Sequence, residues 1–324
     1  MSLDLLDAPL RVTWNLFAGT TPAPSKTVRQ VVRRLADAGV FFVSLESGAL
    51  NHPDASSVVA TLSRGGCQVI LGCHGDPQEI SSLPTGWPVT LQLDVQSVFA
   101  EDRINPARLR SLITAVRNKK YEPIVSVVPT PQTLPLIPEL LALCRQERIK
   151  KVKLPNTPLS LSDDPSTERL TAEDIVRFSS QCDHEGERFR EEIDLEVHDL
   201  FIWEVFFPDR DGGRSEYGGC QAANSLGHVD GEGNLYPCSS WPERLGSLLR
   251  DSIQDLWQSP LRYRIRDEID KMPEGCAGCK ALSLCLGGCR GLGRFVGREQ
   301  GGRDPLCLAP RLFHCCPSDG SSGK

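Results

Sequence analysis

Seven cysteines in the last third of the chain have the type and spacing from which chemistry can be inferred. They are Cys220, Cys238, Cys276, Cys279, Cys285, Cys289 and Cys307. Between the first two lie twelve residues, a glycine and four more residues, and the next four follow the pattern C-x2-C-x5-C-x3-C. Thiolates grouped in this way bind soft metals and are typical ligands of iron–sulfur clusters. The spacing therefore predicts a metal centre built from cysteine sulfur.

Zinc is the alternative occupant of such a centre. Pairs of the form C-x2-C also build closed zinc sites, which use four ligands. Seven thiols and the glycine between the first two favour iron–sulfur clusters over zinc. Either metal would supply folding energy to a segment that is rich in glycine and cysteine.

Bulk properties restrict the class of protein. The chain has 324 residues, 40% of them hydrophobic, which is enough for one large domain and a small one. Its net charge of -6 argues against nucleic acid or an anionic membrane as partner. No apolar run is long enough to span a membrane, and Asp4 and Asp7 do not fit a signal peptide. We therefore predict a cytoplasmic protein.

Thirteen cysteines in a cytoplasmic chain indicate metal binding rather than disulfides. Four of them, Cys67, Cys73, Cys144 and Cys182, are scattered through the first two thirds. Isolated cysteines of this kind are most often small buried hydrophobic residues. We expect that role for these four.

Residues 10–200 alternate between strand-like and helix-like patterns. A helix is expected from Ser25, which can cap it, and another from Asn105 and Pro106. Thr171 and Asp174 form a capping pair for a third helix. Alternation of this kind predicts a parallel sheet with right-handed crossovers, and about six units predict a partial (β/α)6 TIM-like barrel. A doubly wound open sheet is the rival α/β fold.

The predicted domains follow from these patterns. Residues 1–208 form the partial barrel, residues 209–316 form a small cysteine-rich domain, and residues 317–324 form a disordered tail. His228 to Tyr236 is expected to be a hairpin with a glycine turn that leads to Cys238.

The cysteine spacing resembles the SPASM domain of radical SAM peptide-modifying enzymes. Leu245-Gly246-Ser247 and the stretch from Ile253 to Trp257 are similar to the linker of that family, and the resemblance covers about residues 218–308. It implies two auxiliary 4Fe–4S clusters. By resemblance, Cys220, Cys238 and Cys289 would hold the first cluster, and the second would be held by Cys276, Cys279, Cys285 and Cys307.

The first cluster has only three cysteine ligands in this assignment. Cys182, Cys315, Cys316 or a carboxylate could supply the fourth ligand, or the position could be open. The sequence leaves this choice unresolved.

The N-terminal part resembles the radical SAM core but lacks its chemical residues. Trp14, Ala18 and Thr21 occupy the positions of the three cysteines that hold the SAM cluster in that family. The stretch Glu46-Ser47-Gly48-Ala49 stands where a Gly-Gly-Glu-Pro motif grips the methionyl group of SAM. Without thiolates no cluster can deliver the electron that cleaves SAM. We therefore expect no radical SAM activity, no catalytic residue and no bound SAM. An aromatic pair, Trp14 and Phe17, is expected to make the barrel mouth apolar.

Cluster-keeping chains of this kind resemble the SPASM-domain partner proteins of GeoRSP-type peptide-maturation cassettes. The resemblance implies an iron–sulfur accessory protein that partners an active radical SAM/SPASM enzyme and its ribosomal precursor peptide. It would hold the peptide, relay electrons, or both. A general electron-transfer protein and an enzyme acting at an open auxiliary cluster are the alternatives. Among the histidines, His74 lies at a strand end, and His198 and His228 are candidate hydrogen-bond donors near a cluster.

Overall fold

The computed structural model describes residues 6–100, 103–156, 169–181, 192–207 and 218–308. The described strands are β1 (Arg11–Trp14), β2 (Phe17–Ala18), β3 (Thr21–Pro22), β4 (Phe42–Leu45), β5 (Gln68–His74), β6 (Val89–Asp94), β7 (Phe99–Ala100), β8 (Arg103–Ile104), β9 (Ile124–Ser126), β10 (Lys151–Leu154), β11 (Asp194–Val197), β12 (Leu226–Val229), β13 (Asn234–Tyr236) and β14 (Gly246–Ser247).

The described α-helices are α1 (Ser25–Asp37), α2 (Ala55–Arg64), α3 (Pro77–Ser82), α4 (Pro106–Asn118), α5 (Ile137–Gln146), α6 (Ala172–Gln181), α7 (Leu200–Phe206), α8 (Ile253–Trp257), α9 (Pro260–Asp270), α10 (Leu282–Cys285) and α11 (Arg290–Phe295). Single 3₁₀ turns lie at Ala49–Asn51, Gln96–Val98, Leu134–Leu136, Glu274–Cys276 and Arg298–Gln300. None of the helices in the described ranges is long and apolar enough to cross a membrane.

The main sheet confirms the predicted barrel-like topology. Its ten strands lie in the order β11-β10-β9-β6-β5-β4-β1-β12-β13-β14, and the seven from β11 to β1 are parallel. Helices α1 to α6 connect these seven strands in turn, so the chain builds six β/α units and a seventh strand. Because each strand lies beside its predecessor, the order has no switch point, and a doubly wound sheet is excluded.

The cysteine-rich region continues the sheet of the barrel. Strand β12 pairs in parallel with β1, with Thr13 opposite His228 and Trp14 opposite Val229. Strand β13 then turns back beside β12, so the predicted hairpin is present. The boundary predicted at residues 208 and 209 lies outside the described residues and stays a prediction, as do the predicted domain limits and tail.

The region after the hairpin has more apolar core than its cysteine content suggests. Trp241, Leu248, Trp257 and Ile265 are almost completely buried and belong to the same core as the barrel residues. From residue 271 onward few apolar side chains are buried, among them Leu292, Leu306 and Leu308. Apolar packing therefore supports the hairpin and helices α8 and α9 more than the loops that carry the last five cysteines.

Candidate iron–sulfur site and barrel cavity

Three of the predicted ligands lie together where the sheet of the barrel meets the C-terminal loops. Cys220 precedes β12, Cys238 follows β13, and Cys289 precedes α11. Burial raises the pKa of the Cys238 thiol to about 12, and the nearby Cys220 adds to the rise. Burial, Asp304, Cys220 and Cys238 together raise the pKa of Cys289 well above its usual value. Cys220 and Cys238 thus make ionisation of a neighbouring thiol harder, as expected for groups in close proximity.

The other four predicted ligands form a second group. Burial raises the pKa of Cys276, and the charges of the three remaining thiols raise it further; these belong to Cys307, Cys285 and Cys279. The structure therefore brings together the same two sets that the family resemblance assigns. Their role as iron ligands stays a prediction.

The remaining described cysteines lie elsewhere in the fold. Cys67, Cys73 and Cys144 are buried free thiols of the barrel core, as expected. Burial raises the pKa of Cys144 to about 12. Cys182, Cys315 and Cys316, the candidate fourth ligands, lie outside the described residues. Across the described ranges, no three His, Cys, Asp or Glu side chains are arranged to hold a single metal ion.

A pair of buried carboxyl groups joins the barrel to the first thiol group, and the sequence did not reveal it. Asp304 accepts hydrogen bonds from the backbone N–H of Cys289 at 2.6 Å and of Leu306 at 2.9 Å. Asp199, at the end of β11, accepts from the N–H of Phe201 and Ile202. Burial and the nearby Asp199 raise the pKa of Asp304 to about 8. Asp304 therefore fixes the backbone of Cys289, and Asp199 caps the start of α7.

Glycines allow the close backbone approach that this arrangement needs. A side chain at Gly288 would collide with Asp304, and one at Gly291 would collide with the carbonyl of Ser240. Gly288 also has a positive φ of 66°, which favours glycine. The segment around Cys289 can therefore pack directly against its neighbours.

A cavity of about 520 Å³ separates the barrel strands from the first thiol group. All seven parallel strands or the residues that follow them contribute to its wall, and so do Cys220, Cys238 and Cys289. Polar and charged side chains of the barrel that line it are Arg11, Thr13, Glu46, His74, Gln92, Asp94, Ser126, Lys153, His198 and Asp199. The first thiol group therefore faces a cavity whose wall carries charged and polar side chains among apolar ones.

An ion-pair network connects the first and seventh strands at one end of this cavity. Glu196 on β11 lies 3.7 Å from Arg11 on β1, 2.9 Å from Lys151 and 3.5 Å from Lys153. Although burial opposes it, the charges of Lys153, Lys151 and Arg11 lower the pKa of Glu196 to about 2. The bridge between β1 and β11 ties the two ends of the parallel sheet together.

Glu46, Thr13 and His228 form a second polar contact where the hairpin meets the barrel. The Nδ1 atom of His228 lies 2.8 Å from the hydroxyl of Thr13 and 3.6 Å from the carboxylate of Glu46. Burial raises the pKa of Glu46 to about 7 and lowers that of His228 to about 4. His228 was a candidate donor near a cluster, but this nitrogen contacts barrel residues. His74 and His198 line the cavity.

Comparisons with known proteins agree with this geometry. Residues 220–280 match the SPASM family, which is described as an iron–sulfur cluster-binding domain. Among solved structures, SuiB of Streptococcus suis superimposes with a TM-score of 0.68 at 16% identity, covering 94% of this chain and 78% of SuiB. The enzyme anSMEcpe with bound AdoMet gives a TM-score of 0.64 at 14% identity, covering 92% and 93%. The chain thus has an iron–sulfur-binding SPASM domain and a radical SAM-like α/β fold.

The hairpin of β12 and β13, called the SPASM hairpin, packs directly on the loop that contains β2 and β3. The family resemblance aligns this loop with the SAM cluster motif. Ala18 and Thr21 pair with each other in the small β2–β3 hairpin, and Trp14 is only 1% exposed. The turn residue Gly231 approaches the backbone of Phe17 so closely that a side chain would collide with it. Neither Trp14 nor Phe17 lines the cavity. The expectation that this pair forms the mouth was therefore wrong, because the alternate residues of β1, Arg11 and Thr13, face the cavity instead.

The type of donor fits iron–sulfur clusters, although the described side chains are not arranged to hold a single metal ion. In the described part of the chain none of the seven thiols forms a disulfide, and they lie in one group of three and one of four. Thiolates are the ligands that such clusters require. Trp14, Ala18 and Thr21 offer no thiolate, so the residues at the SAM motif do not fit a cluster.

Proposed function

We propose that this chain is an iron–sulfur accessory protein that does not itself cleave SAM and that partners an active radical SAM enzyme in peptide maturation. One observation carries the proposal: the thiols of the first group line the barrel cavity, while the loop after β1 holds no thiol. The fold keeps the auxiliary ligands and has lost the group that starts radical chemistry. A cluster bound at these thiols supplies one-electron transfer.

In this proposal the SPASM cysteines hold the clusters, and neighbouring residues position them. Cys220, Cys238 and Cys289 would hold the first cluster beside the cavity, and the other four SPASM cysteines would hold the second near the surface. Asp304 and Ser240 keep the backbone of Cys289 and Gly291 in place. Two clusters in one chain offer a path by which an electron can move between the cavity and solvent.

A precursor peptide is the ligand that we propose for the accessory protein. SuiB has been seen bound to its precursor peptide SuiA, and anSMEcpe has been seen with a bound Kp18Cys peptide. Here the cavity offers both signs of charge, with Lys153 at one end and Glu46 and Asp94 along the strand ends. The same wall contains apolar residues such as Leu45 and Ile70, so it suits a peptide segment that carries both charged and apolar side chains.

The test is reconstitution of the maturation system. The radical SAM enzyme encoded nearest this chain and its precursor peptide are expressed with the chain, without it, or with its Cys289→Ala variant. We expect the chain to co-purify with the enzyme and peptide modification to fail without it. The Cys289→Ala variant should still co-purify but support less modification. Full modification in the absence of the chain, with no complex detected, would contradict the proposal.

A second candidate function is an activity at the first group itself. Only three described thiols surround that end of the cavity, so an iron held there could accept a ligand from it. Addition of the precursor peptide to the reduced, iron-loaded chain would then change the EPR spectrum of one cluster. An unchanged spectrum, together with restored peptide modification in the reconstituted system, would favour the accessory role.

A further inference from the structure

The surface around the second thiol group exposes three large apolar side chains. Met272 is 56% exposed, and Leu284 and Leu286 are each 45% exposed. Leu284 and Leu286 flank Cys285, and Met272 adjoins Pro273, whose Cγ would lie 3.3 Å from a Cβ at Gly287. Met272, Leu284 and Leu286, together called the Leu284 patch, are therefore exposed on two segments that meet near the predicted ligand Cys285. Exposed apolar groups in contact with each other mark interaction surfaces more often than isolated ones do.

Leu286 adopts a backbone conformation that its side chain disfavours. Its φ is +49°, in the left-handed region that bulky residues avoid. The next two residues, Gly287 and Gly288, also have positive φ, and there the chain uses glycine, the residue that adopts this conformation most easily. The Leu286 side chain also reaches Gly219, beside Cys220 of the first thiol group. This conformation holds the Leu286 side chain between Gly219 and solvent, with nearly half of it exposed.

The edge of the patch is basic, although the whole chain is acidic. Residues 271–308 contain six basic residues, Lys271, Lys280, Arg290, Arg294, Arg298 and Arg303, and three acidic ones, Glu274, Glu299 and the buried Asp304. The net charge of the entire chain is -6. Lys271 and Lys280 are exposed, and no described carboxylate lies within ion-pair distance of either one. These two lysines therefore present charge to solvent beside the second thiol group.

We propose that the Leu284 patch, with Lys271 and Lys280, is the docking surface for an acidic one-electron carrier protein. An apolar centre with a charged rim is the usual composition of an interface that must form and dissociate. The carrier would lose one electron and the cluster held by the second thiol group would gain it, or the reverse. The inference rests on the proposed function, because that group must hold a redox centre. It adds the side of the molecule through which electrons enter or leave.

The test compares two variants with the same change in charge. Lys271→Glu with Lys280→Glu alters the proposed surface, and Lys26→Glu with Arg29→Glu alters exposed residues of α1 on the barrel wall. The anaerobically iron-loaded full chain is titrated with a purified acidic flavodoxin, and binding is followed by the flavin fluorescence. Rates of cluster bleaching by the reduced flavodoxin are measured in parallel.

We expect the Lys271→Glu and Lys280→Glu variant to bind at least about tenfold more weakly and to accept electrons correspondingly more slowly. The α1 variant should behave like the unaltered chain. Raising the salt concentration should weaken binding by the unaltered chain, because screening shortens the reach of surface charges. A third variant, Leu284→Ser, should weaken binding without changing its salt dependence.

Three results would overturn the inference. Equal losses in the two charge variants would show general repulsion rather than docking. Unchanged binding in all variants of a chain that holds iron would leave the proposed function standing without this surface. Salt-independent self-association that is lost in Leu284→Ser would assign the patch to a second copy of the chain. Iron content, measured in each sample, shows separately whether the proposed function fails.

Discussion

At the residue scale, burial and neighbouring thiols make the first thiol group hard to ionise. Burial is the largest cause of the raised pKa values; Cys220 adds to it at Cys238, and Cys220 and Cys238 add to it at Cys289. A bound metal ion that replaces the protons can hold such thiols together as thiolates. The division into a group of three and a group of four therefore has a testable consequence.

Removing one thiol from each group should remove different clusters. The unaltered chain, purified without oxygen, is expected to hold about eight irons, as two four-iron clusters. Cys238→Ala and Cys279→Ala should each retain about four, with different EPR signals remaining in the reduced proteins. Cys144→Ala, in the barrel core, is the control and should keep all the iron. Stoichiometric zinc in place of iron after anaerobic reconstitution would contradict the cluster assignment.

Glu46 gives a second residue-scale prediction, on stability. Its folded pKa of about 7 is above the usual glutamate value of 4.5 because of burial. The folded state therefore holds a proton that the unfolded state has released, and the resulting stabilisation is lost as pH rises through about 7. The folded pKa of His228 is about 4, below its usual value of 6.5, so its effect on stability has the opposite sign. His228 makes stability rise with pH, but only at pH values below about 6.5.

Glu46→Gln should remove this pH dependence, because glutamine imitates the protonated acid. Between pH 6.5 and 8 the free energy of unfolding of the unaltered chain should fall by about 1 kcal/mol relative to that of the variant. Urea titrations of both proteins at several pH values measure the difference. Parallel curves over this range would show that Glu46 is already ionised in the folded protein.

At the scale of elements, the SPASM hairpin makes a close contact with the β2–β3 loop and so links the two parts of the chain. Gly231→Ala would push a methyl group into the backbone of Phe17. We expect this change to destabilise the protein by about 1–3 kcal/mol, as overpacking does. Gly227→Ala in the same hairpin is the control, since the nearest atom to its Cβ would be 3.4 Å away. Denaturant unfolding measures both; equal midpoints would show that the hairpin can move away from the loop.

Elements with local signals were predictable from the sequence. Asn105 caps α4 by accepting from the N–H of Arg108 at 3.0 Å, and Thr171 and Asp174 cap each other at the start of α6. Ser25 was wrong as a cap, because α1 already includes it and Pro24 occupies the capping position. Helices α2, α3, α7, α9, α10 and α11 were missed. Tertiary contacts decide segments of this kind more than local periodicity does.

At the scale of the whole molecule, the sequence predicted the order of the strands but not the contacts between distant segments. Alternating patterns were sufficient for six β/α units, because each unit is local. Strand β12 pairs with β1, and Asp304 lies near Asp199, although the residues of each pair are far apart in the chain. No rule of residue spacing predicts such contacts. The same is true of the cavity, whose wall combines both parts. The cysteine groups were the exception, since their spacing carries the family resemblance.

The proposed function requires that this molecule holds the auxiliary clusters and lacks radical SAM chemistry. The most direct measurement is to incubate the iron-loaded chain with dithionite and SAM and to follow both cluster reduction and 5′-deoxyadenosine. We expect EPR signals from reduced clusters and no 5′-deoxyadenosine above the level of a protein-free control. Formation of 5′-deoxyadenosine in amounts that rise with the chain's concentration would contradict this expectation, because it would require a SAM-binding cluster that Trp14, Ala18 and Thr21 cannot hold.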